Sequence, residues 1–245
     1  MNLKLIIDFG NTLQKLAVFE DKKLLFKETY QDLVPESLIQ FVEKNGPFHS
    51  IIQSSVIIHT PELEKVLYES GKFIQLTSET PIPIKNLYQT PESLGKDRIA
   101  AVTGAWSLYP GQNILAIDAG TCITYDFLNK NGEYLGGGIS PGIRMRFKAM
   151  HTFTGKLPLI EPDSFDDLIG RSTHESMLSG VYHGVIAEIR ELIRLYREKY
   201  DDVVVIITGG DHQFLHNKLK NNIFAVPDLV LLGLNEILDY NDHSG

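Results

Sequence analysis

Cysteine, positive charge and long apolar runs are all scarce in this chain of 245 residues. The single cysteine, Cys122, has no second thiol in the chain to pair with, which predicts a reducing compartment and a cytoplasmic location. Lys and Arg number 23 against 31 Asp and Glu, a net charge of -8. A dedicated nucleic-acid binder needs a basic stripe to displace counterions from phosphates, so no nucleic-acid partner is expected. A small anionic ligand is not excluded, because it needs only a local positive site. Apolar runs are short, and the N-terminal one meets Asp8 before a signal-peptide core has formed. No signal peptide, membrane span or membrane partner is expected. Two glycine-rich signatures are also missing. No Gly-x4-Gly-Lys-Ser/Thr string occurs, and Gly136-Gly137-Gly138 lacks the spacing of a dinucleotide fingerprint.

What is present is a repeat. Leu5-Ile6-Ile7-Asp8-Phe9-Gly10-Asn11-Thr12 leads into the apolar segment Lys15-Leu16-Ala17-Val18-Phe19. Leu115-Ala116-Ile117-Asp118-Ala119-Gly120-Thr121 leads likewise into Ile123-Thr124-Tyr125-Asp126-Phe127, with Asp118 lying 110 residues after Asp8. Each unit predicts a strand, an Asp-x-Gly turn and a second strand, with the acidic, glycine and hydroxyl residues at the tip. At roughly 150 residues per domain the length allows one large domain or two small ones. The repeat favours two halves, 1–110 and 111–245, divided at Pro110-Gly111.

The remaining pattern alternates between helix and strand, an α/β plan. Helices are predicted over 34–45, 61–70 and 94–108, and strands over 51–58 and 203–207. A proline-punctuated loop covers 81–91, and Gly136-Gly137-Gly138 is expected to close a hairpin. Ser172-Thr173-His174-Glu175 forms a capping box ahead of a long helix to about Tyr200. Its stripe Met177, Val181, Val185, Ile189, Leu192 and Ile193 suits a core or a dimer interface. A last helix is expected from Pro227-Asp228 through Leu238, with 241–245 frayed.

An Asp-x-Gly-hydroxyl turn suits a nucleoside triphosphate. Gly10 lets the backbone approach a phosphate, Asn11 and Thr12 add polar side chains, and Lys15 adds positive charge. Asp8 and Asp118 would repel phosphate unless a cation intervened, so a hard ion such as Mg²⁺ or a monovalent cation is expected beside them. Thr208-Gly209-Gly210, after a buried strand, offers flat backbone for an adenine. His212 and His216 have helical i,i+4 spacing without an evident third ligand, and Cys122 is expected to be a small buried hydrophobe.

These features resemble the actin-like, sugar-kinase and heat-shock-ATPase superfamily, and within it the type III pantothenate kinases. The resemblance is carried by Asp8 to Thr12 with Lys15, Gly95-Lys96-Asp97-Arg98 and Asp118 to Thr121. It continues in Gly136 to Gly142, Thr154-Gly155-Lys156-Leu157-Pro158, and Ser172-Thr173 with Ser179-Gly180. It implies two ribonuclease-H-like halves with an ATP cleft between them, and phosphorylation of pantothenate by ATP at the start of coenzyme A synthesis. It implies that Asp8, Phe9, Gly10, Asn11, Thr12, Leu13, Gln14 and Lys15 cradle the ATP phosphates. Thr121 would contact ATP, with Gly209 and Gly210 at the adenosine. Asp118 would hold potassium or ammonium, with Asp8 a candidate Mg²⁺ ligand. Pantothenate would be bound by Tyr88, Gly95, Lys96, Asp97 and Arg98, with Asp97 the general base. Thr173 would reach pantothenate from the neighbouring subunit of a homodimer.

Chemistry agrees with these roles. A primary hydroxyl is a poor nucleophile until a carboxylate accepts its proton, and a helix N-terminus and Arg98 would keep Asp97 ionised. Arg98 could also pair with the pantothenate carboxylate through two parallel bonds. Two rivals follow from the same residues: a kinase for another small hydroxylated metabolite, and a non-catalytic ATP-binding regulator. The regulator would be expected to have lost Asp97 or one of the turn aspartates.

Overall fold

The computed structural model describes residues 2–55, 61–219 and 223–242. The chain divides into two compact units. The first comprises Met1–Gly111, Leu128–Gly136 and Asp228–Gly245; the second comprises Gln112–Phe127 and Gly137–Pro227.

The N-terminal strands β1 (Leu3–Phe9), β2 (Gln14–Glu20) and β3 (Lys23–Tyr30) form an antiparallel meander. After helix α1 (Pro35–Asn45), strand β4 (Ser50–Ser55) adds parallel to β1. Helix α2 (Pro61–Ser70) then leads to β5 (Lys72–Gln75), parallel to β4. The strand order is β3-β2-β1-β4-β5. The inner strands are apolar on both faces, and Leu5, Ile7, Phe9, Leu16 and Val18 pack with Leu38 and Phe41 of α1.

A short strand β6 (Lys85–Asn86) and helix α3 (Lys96–Leu108) follow. Next come β7 (Asn113–Ala119), β8 (Cys122–Leu128) and β9 (Glu133–Pro141), then helices α4 (Ile143–Phe153) and α5 (Thr173–Lys199). Strand β10 (Val203–Thr208), helix α6 (His212–Leu219), β11 (Ile223–Ala225) and α7 (Leu229–Asp242) complete the chain. From β9 inward the second sheet runs β9-β8-β7-β10-β11, the strand order of the first sheet, with β6 added outside β9. The repeat at Asp8 and Asp118 is therefore a duplication of the whole sheet. The Met177 to Ile193 stripe of α5 packs into the second unit's core with Ile117, Tyr125, Phe147 and Ile207.

Long-range packing sets the composition of the first unit, which extends beyond 1–111. Helix α7 lies on α3 with Gly233 against the backbone at Ala100, where a Cβ would overlap the Ala100 carbonyl. Residues at the start of β9 pair with β6, Lys85 with Glu133 and Asn86 with Tyr134.

Three local expectations change. Gly136-Gly137-Gly138 does not close a hairpin but lies inside β9. The hairpin turn is earlier, at Asn129–Gly132, where the Asn129 side-chain oxygen accepts from the amides of Asn131 and Glu133. Glycine is required in β9 because a Cβ on Gly137 would overlap the Tyr125 carbonyl of the neighbouring strand. The loop 81–91 contains β6, and the last helix continues to Asp242, past the expected end at Leu238. Of the strand predicted over 51–58, β4 covers the part to Ser55, and 56–58 lie outside the described residues.

Candidate active site

Within the first unit, β1 delivers Asp8 to the strand's end, and the chain turns back through Gly10 to Leu13. The Gly10 amide donates to the Leu13 carbonyl at 3.2 Å, closing the turn. Asn11, Thr12 and Leu13 are exposed at the tip. Asp8 and Lys15 are register partners across the hairpin, with the Lys15 Nζ 3.8 Å from the Asp8 carboxylate. Two of the predicted phosphate residues are committed elsewhere through their side chains. Phe9 is in the core, and the Gln14 side-chain oxygen accepts from the Leu33 amide at 2.7 Å.

Asp8 is only 7% exposed. Burial pushes its carboxyl up to about 6; Lys15 opposes that rise and the negative charge of Asp97 adds to it. The charge of Asp97 thus acts on the carboxyl at the first turn. Asp97 stands in the first turn of α3, behind Gly95 at the helix N-cap, and its Oδ1 accepts from the Arg98 amide at 2.8 Å. The helix N-terminus favours the ionised carboxylate there.

Arg98 is 6% exposed, and its guanidinium carbon lies 5.7 Å from the centroid of the Tyr88 ring. Tyr88 in turn stacks on buried Tyr134, with ring centroids 6.1 Å apart and an interplanar angle of 18°. The Tyr88 amide donates to Asn86 Oδ1 at 3.0 Å, which fixes the loop that carries it. Asn86 and Lys96 help line a small pocket beside the start of α3. The structure thus brings Tyr88, Gly95, Lys96, Asp97 and Arg98 together at one end of α3.

Sequence reasoning missed two residues here. Ser54 is the register partner of Asp8 on β4 and is fully buried, and its hydroxyl has no hydrogen-bond partner among the described residues. The signal was a pair of serines, Ser54-Ser55, ending an apolar strand. Tyr134 left no signal, because its role depends on the pairing of β9 with β6.

In the second unit, β7 delivers Asp118 as β1 delivers Asp8. Thr208 of β10 is the register partner of Asp118. Gly209 follows with φ 88, where a Cβ would overlap both the Asp118 carboxylate and the Ala119 carbonyl. The Asp211 amide donates to the Ala119 carbonyl at 2.9 Å, which ties the 209–211 loop to the Asp118 turn. Thr121 and Gly210 are exposed beside it. Asp118, Thr121, Gly209 and Gly210 therefore form one local cluster. Burial raises the Asp211 carboxyl, and Arg144, 3.7 Å away, opposes the rise.

Thr173 is exposed at the first turn of α5, directly after the Ser172 cap. Ser172 Oγ accepts from the Glu175 amide at 3.2 Å, and Glu175 reaches back to the Arg171 amide at 2.7 Å. Cys122 is half-buried where β8 begins. His212 and His216 lie on α6, and His212 Nδ1 is 2.6 Å from the Gly209 carbonyl. Among the described residues no group of three or more His, Cys, Asp or Glu is arranged to hold a metal. None of the described helices is long and apolar enough to cross a membrane.

Two sheets of one strand order, each with an Asp-x-Gly turn after its first strand, make a duplicated ribonuclease-H-like fold, the fold shared by sugar kinases and actin-like ATPases. The family model for type III pantothenate kinase matches residues 4–195. A Type III pantothenate kinase of Christiangramia forsetii is 46% identical over 241 residues, covering 98% of this chain and 99% of that protein. One from Phocaeicola vulgatus is 43% identical over 245 residues, with 98% and 99% covered. The chain belongs to the type III pantothenate kinase family, ATP-dependent enzymes that phosphorylate pantothenate at the first step of coenzyme A biosynthesis and use a divalent metal.

Solved structures agree on the fold. A Campylobacter jejuni protein named for the Baf family of transcriptional activators is 25% identical, with a TM-score of 0.63 and coverage of 98% and 99%. The inorganic polyphosphate/ATP-glucomannokinase of an Arthrobacter strain is 14% identical, with a TM-score of 0.51 and coverage of 98% and 100%; that likeness shows the fold alone.

Proposed function

We propose that Asp97 is the general base that activates the terminal hydroxyl of pantothenate, and that the Asp8 turn manages the phosphate charge of ATP. Asp97 accepts the hydroxyl proton, the freed oxygen forms a bond to the γ-phosphorus, and the β–γ bridging oxygen leaves with ADP. The product is 4′-phosphopantothenate. The observation that carries this reading is that Asp97, in the first turn of α3, is near enough to buried Asp8 for its negative charge to help raise the Asp8 carboxyl. Phosphoryl transfer is mostly positioning and charge stabilisation, so a base and a charge-handling carboxylate in one environment are the parts it needs.

Asp8 and the Ser54 hydroxyl fit a divalent cation. A carboxylate pushed up to about 6 by burial gains from an added positive charge, and the buried hydroxyl beside it awaits a partner. Bound Mg²⁺ would neutralise phosphate charge there. Lys15 supplies a second positive charge, and the exposed tip residues Gly10 to Thr12 present donors to the phosphates. Asp118 offers one half-buried carboxylate, a donor set suited to potassium or ammonium. Thr121 contacts ATP, and Gly209-Gly210 gives the adenosine a surface without side chains.

Tyr88 and Arg98 hold pantothenate at the start of α3, with the Arg98 guanidinium meeting its carboxylate. Thr173, exposed on α5, reaches the pantothenate of a partner subunit in a homodimer. The enzyme works in the cytoplasm. Purified protein is expected to release ADP when pantothenate, Mg²⁺ and potassium are all present, and to lose that release when any one is left out. Release with a sugar and none with pantothenate would overturn the substrate assignment. Full activity of a monomer would overturn the role of Thr173.

A further inference from the structure

Glu188, in the middle of α5, lies outside the residues given roles above. Its carboxylate collects three donors from three other elements. Tyr125 on β8 donates to Oε1 at 2.8 Å, and Ser140 on β9 donates to the same oxygen at 2.5 Å. Arg146 on α4 donates to Oε2 at 2.6 Å. These donors hold the Glu188 carboxyl below its usual range even though burial alone would raise it. Three charge-assisted bonds thus tie α5 to β8, β9 and α4 at one partly buried carboxylate.

The other contacts of Arg146 show what this arrangement holds. Its Nε donates to the Pro141 carbonyl at 2.8 Å, and its backbone amide donates to the Gly142 carbonyl at 3.0 Å. The Gly142 amide donates to the Thr121 carbonyl at 3.1 Å. Gly142 also lies so close to the second turn that a Cβ would overlap the carbonyls of Gly120 and Thr121. A continuous path therefore runs from Glu188 through Arg146 and the 140–142 backbone to the turn that carries Asp118 and Thr121.

We propose that Glu188 is a positioning residue that, through Arg146 and Gly142, fixes the Asp118–Thr121 turn for the cation and the nucleotide. It touches neither ligand. The inference rests on the roles proposed above for Asp118 and Thr121, and its ligand-free readout is independent of them.

Glu188→Gln tests it selectively. The amide keeps an oxygen for Tyr125 and Ser140, but it turns an NH2 group toward Arg146 and breaks that link. The variant is expected to raise the potassium concentration for half-activation and the KM for ATP by about tenfold, the scale of outer-shell changes at ion sites. The KM for pantothenate should stay unchanged. Without ligands, hydrogen exchange should speed up at the amides of Gly120 and Gly142 and not across the core of the second unit. Arg146→Met should give the same pattern, and the double variant should be no worse than either single one, because both cut one path.

Unchanged potassium and ATP constants with unchanged local exchange would overturn the inference. So would a uniform rise in exchange with both constants intact, which would mark Glu188 as purely structural. A wild-type protein without pantothenate-dependent turnover would count against the functional reading, while the exchange measurement would still decide the role of Glu188.

Discussion

Asp8 and Lys15 face each other across the first hairpin as register partners, with the lysine ammonium 3.8 Å from the carboxylate. The ion pair is too long for a strong hydrogen bond and only partly offsets the burial of Asp8, whose carboxyl stays up at about 6. Lys15 therefore leaves most of the cost of burying this carboxylate uncompensated.

That arrangement gives a pH signature. An acid whose pKa folding raises contributes stability below its ordinary value near 3.8, and that contribution is lost as pH rises through about 6. Asp8→Asn removes the charged form. The ligand-free variant is expected to be more stable than wild type by about 1–3 kcal/mol at pH 8 and no more stable at pH 4. Thermal unfolding at the two pH values measures this. Equal melting temperatures at pH 8 would show that burial of the charge costs nothing.

Lys15→Met separates phosphate binding from folding. A charged hydrogen bond to phosphate contributes about 1.5–3 kcal/mol, so the KM for ATP should rise roughly tenfold or more. The KM for pantothenate should hold, and the melting temperature should fall modestly at pH 8, where Asp8 loses the charge that partly offsets its burial. Steady-state kinetics with each substrate varied in turn provides the check.

Gly209→Ala tests the second turn. At φ 88 a side chain is strained, and this Cβ would also press on the Asp118 carboxylate. A loss of about 1–3 kcal/mol in stability is expected, with weaker nucleotide binding. Denaturant unfolding and binding of a fluorescent ATP analogue report the two effects. Gly210→Ala is the control for the stability readout alone, because a Cβ there meets nothing within 4 Å.

Gly233→Ala probes the support behind Asp97. The added methyl would force α7 away from α3 at Ala100, and overpacking of this kind costs about 1–3 kcal/mol or more. A lower unfolding midpoint in denaturant, at an unchanged slope, is the expected result.

Much of this was legible in the sequence because the signals are local. The two Asp-x-Gly hairpins, the Ser172–Glu175 cap and the α5 stripe depend on residues a few positions apart. The glycine run 136–138 misled because a close strand crossing and a turn ask for the same residue, and only the position of Tyr125 separates them. The β6 pairing and the packing of α7 on α3 join residues far apart in the chain. Glu188 escaped for the same reason, since an isolated glutamate carries no mark of the partners that hold it, and Ser54 left only the faint signal of a serine pair ending an apolar strand.

The most direct test of the central claim is the rate of pantothenate-dependent ADP release by wild type and Asp97→Asn side by side, at saturating ATP, Mg²⁺ and potassium. General-base help contributes about 10²–10⁴-fold, so the variant should fall by at least that lower figure while remaining folded and still binding pantothenate. Asp97→Asn at the full wild-type rate would contradict the account.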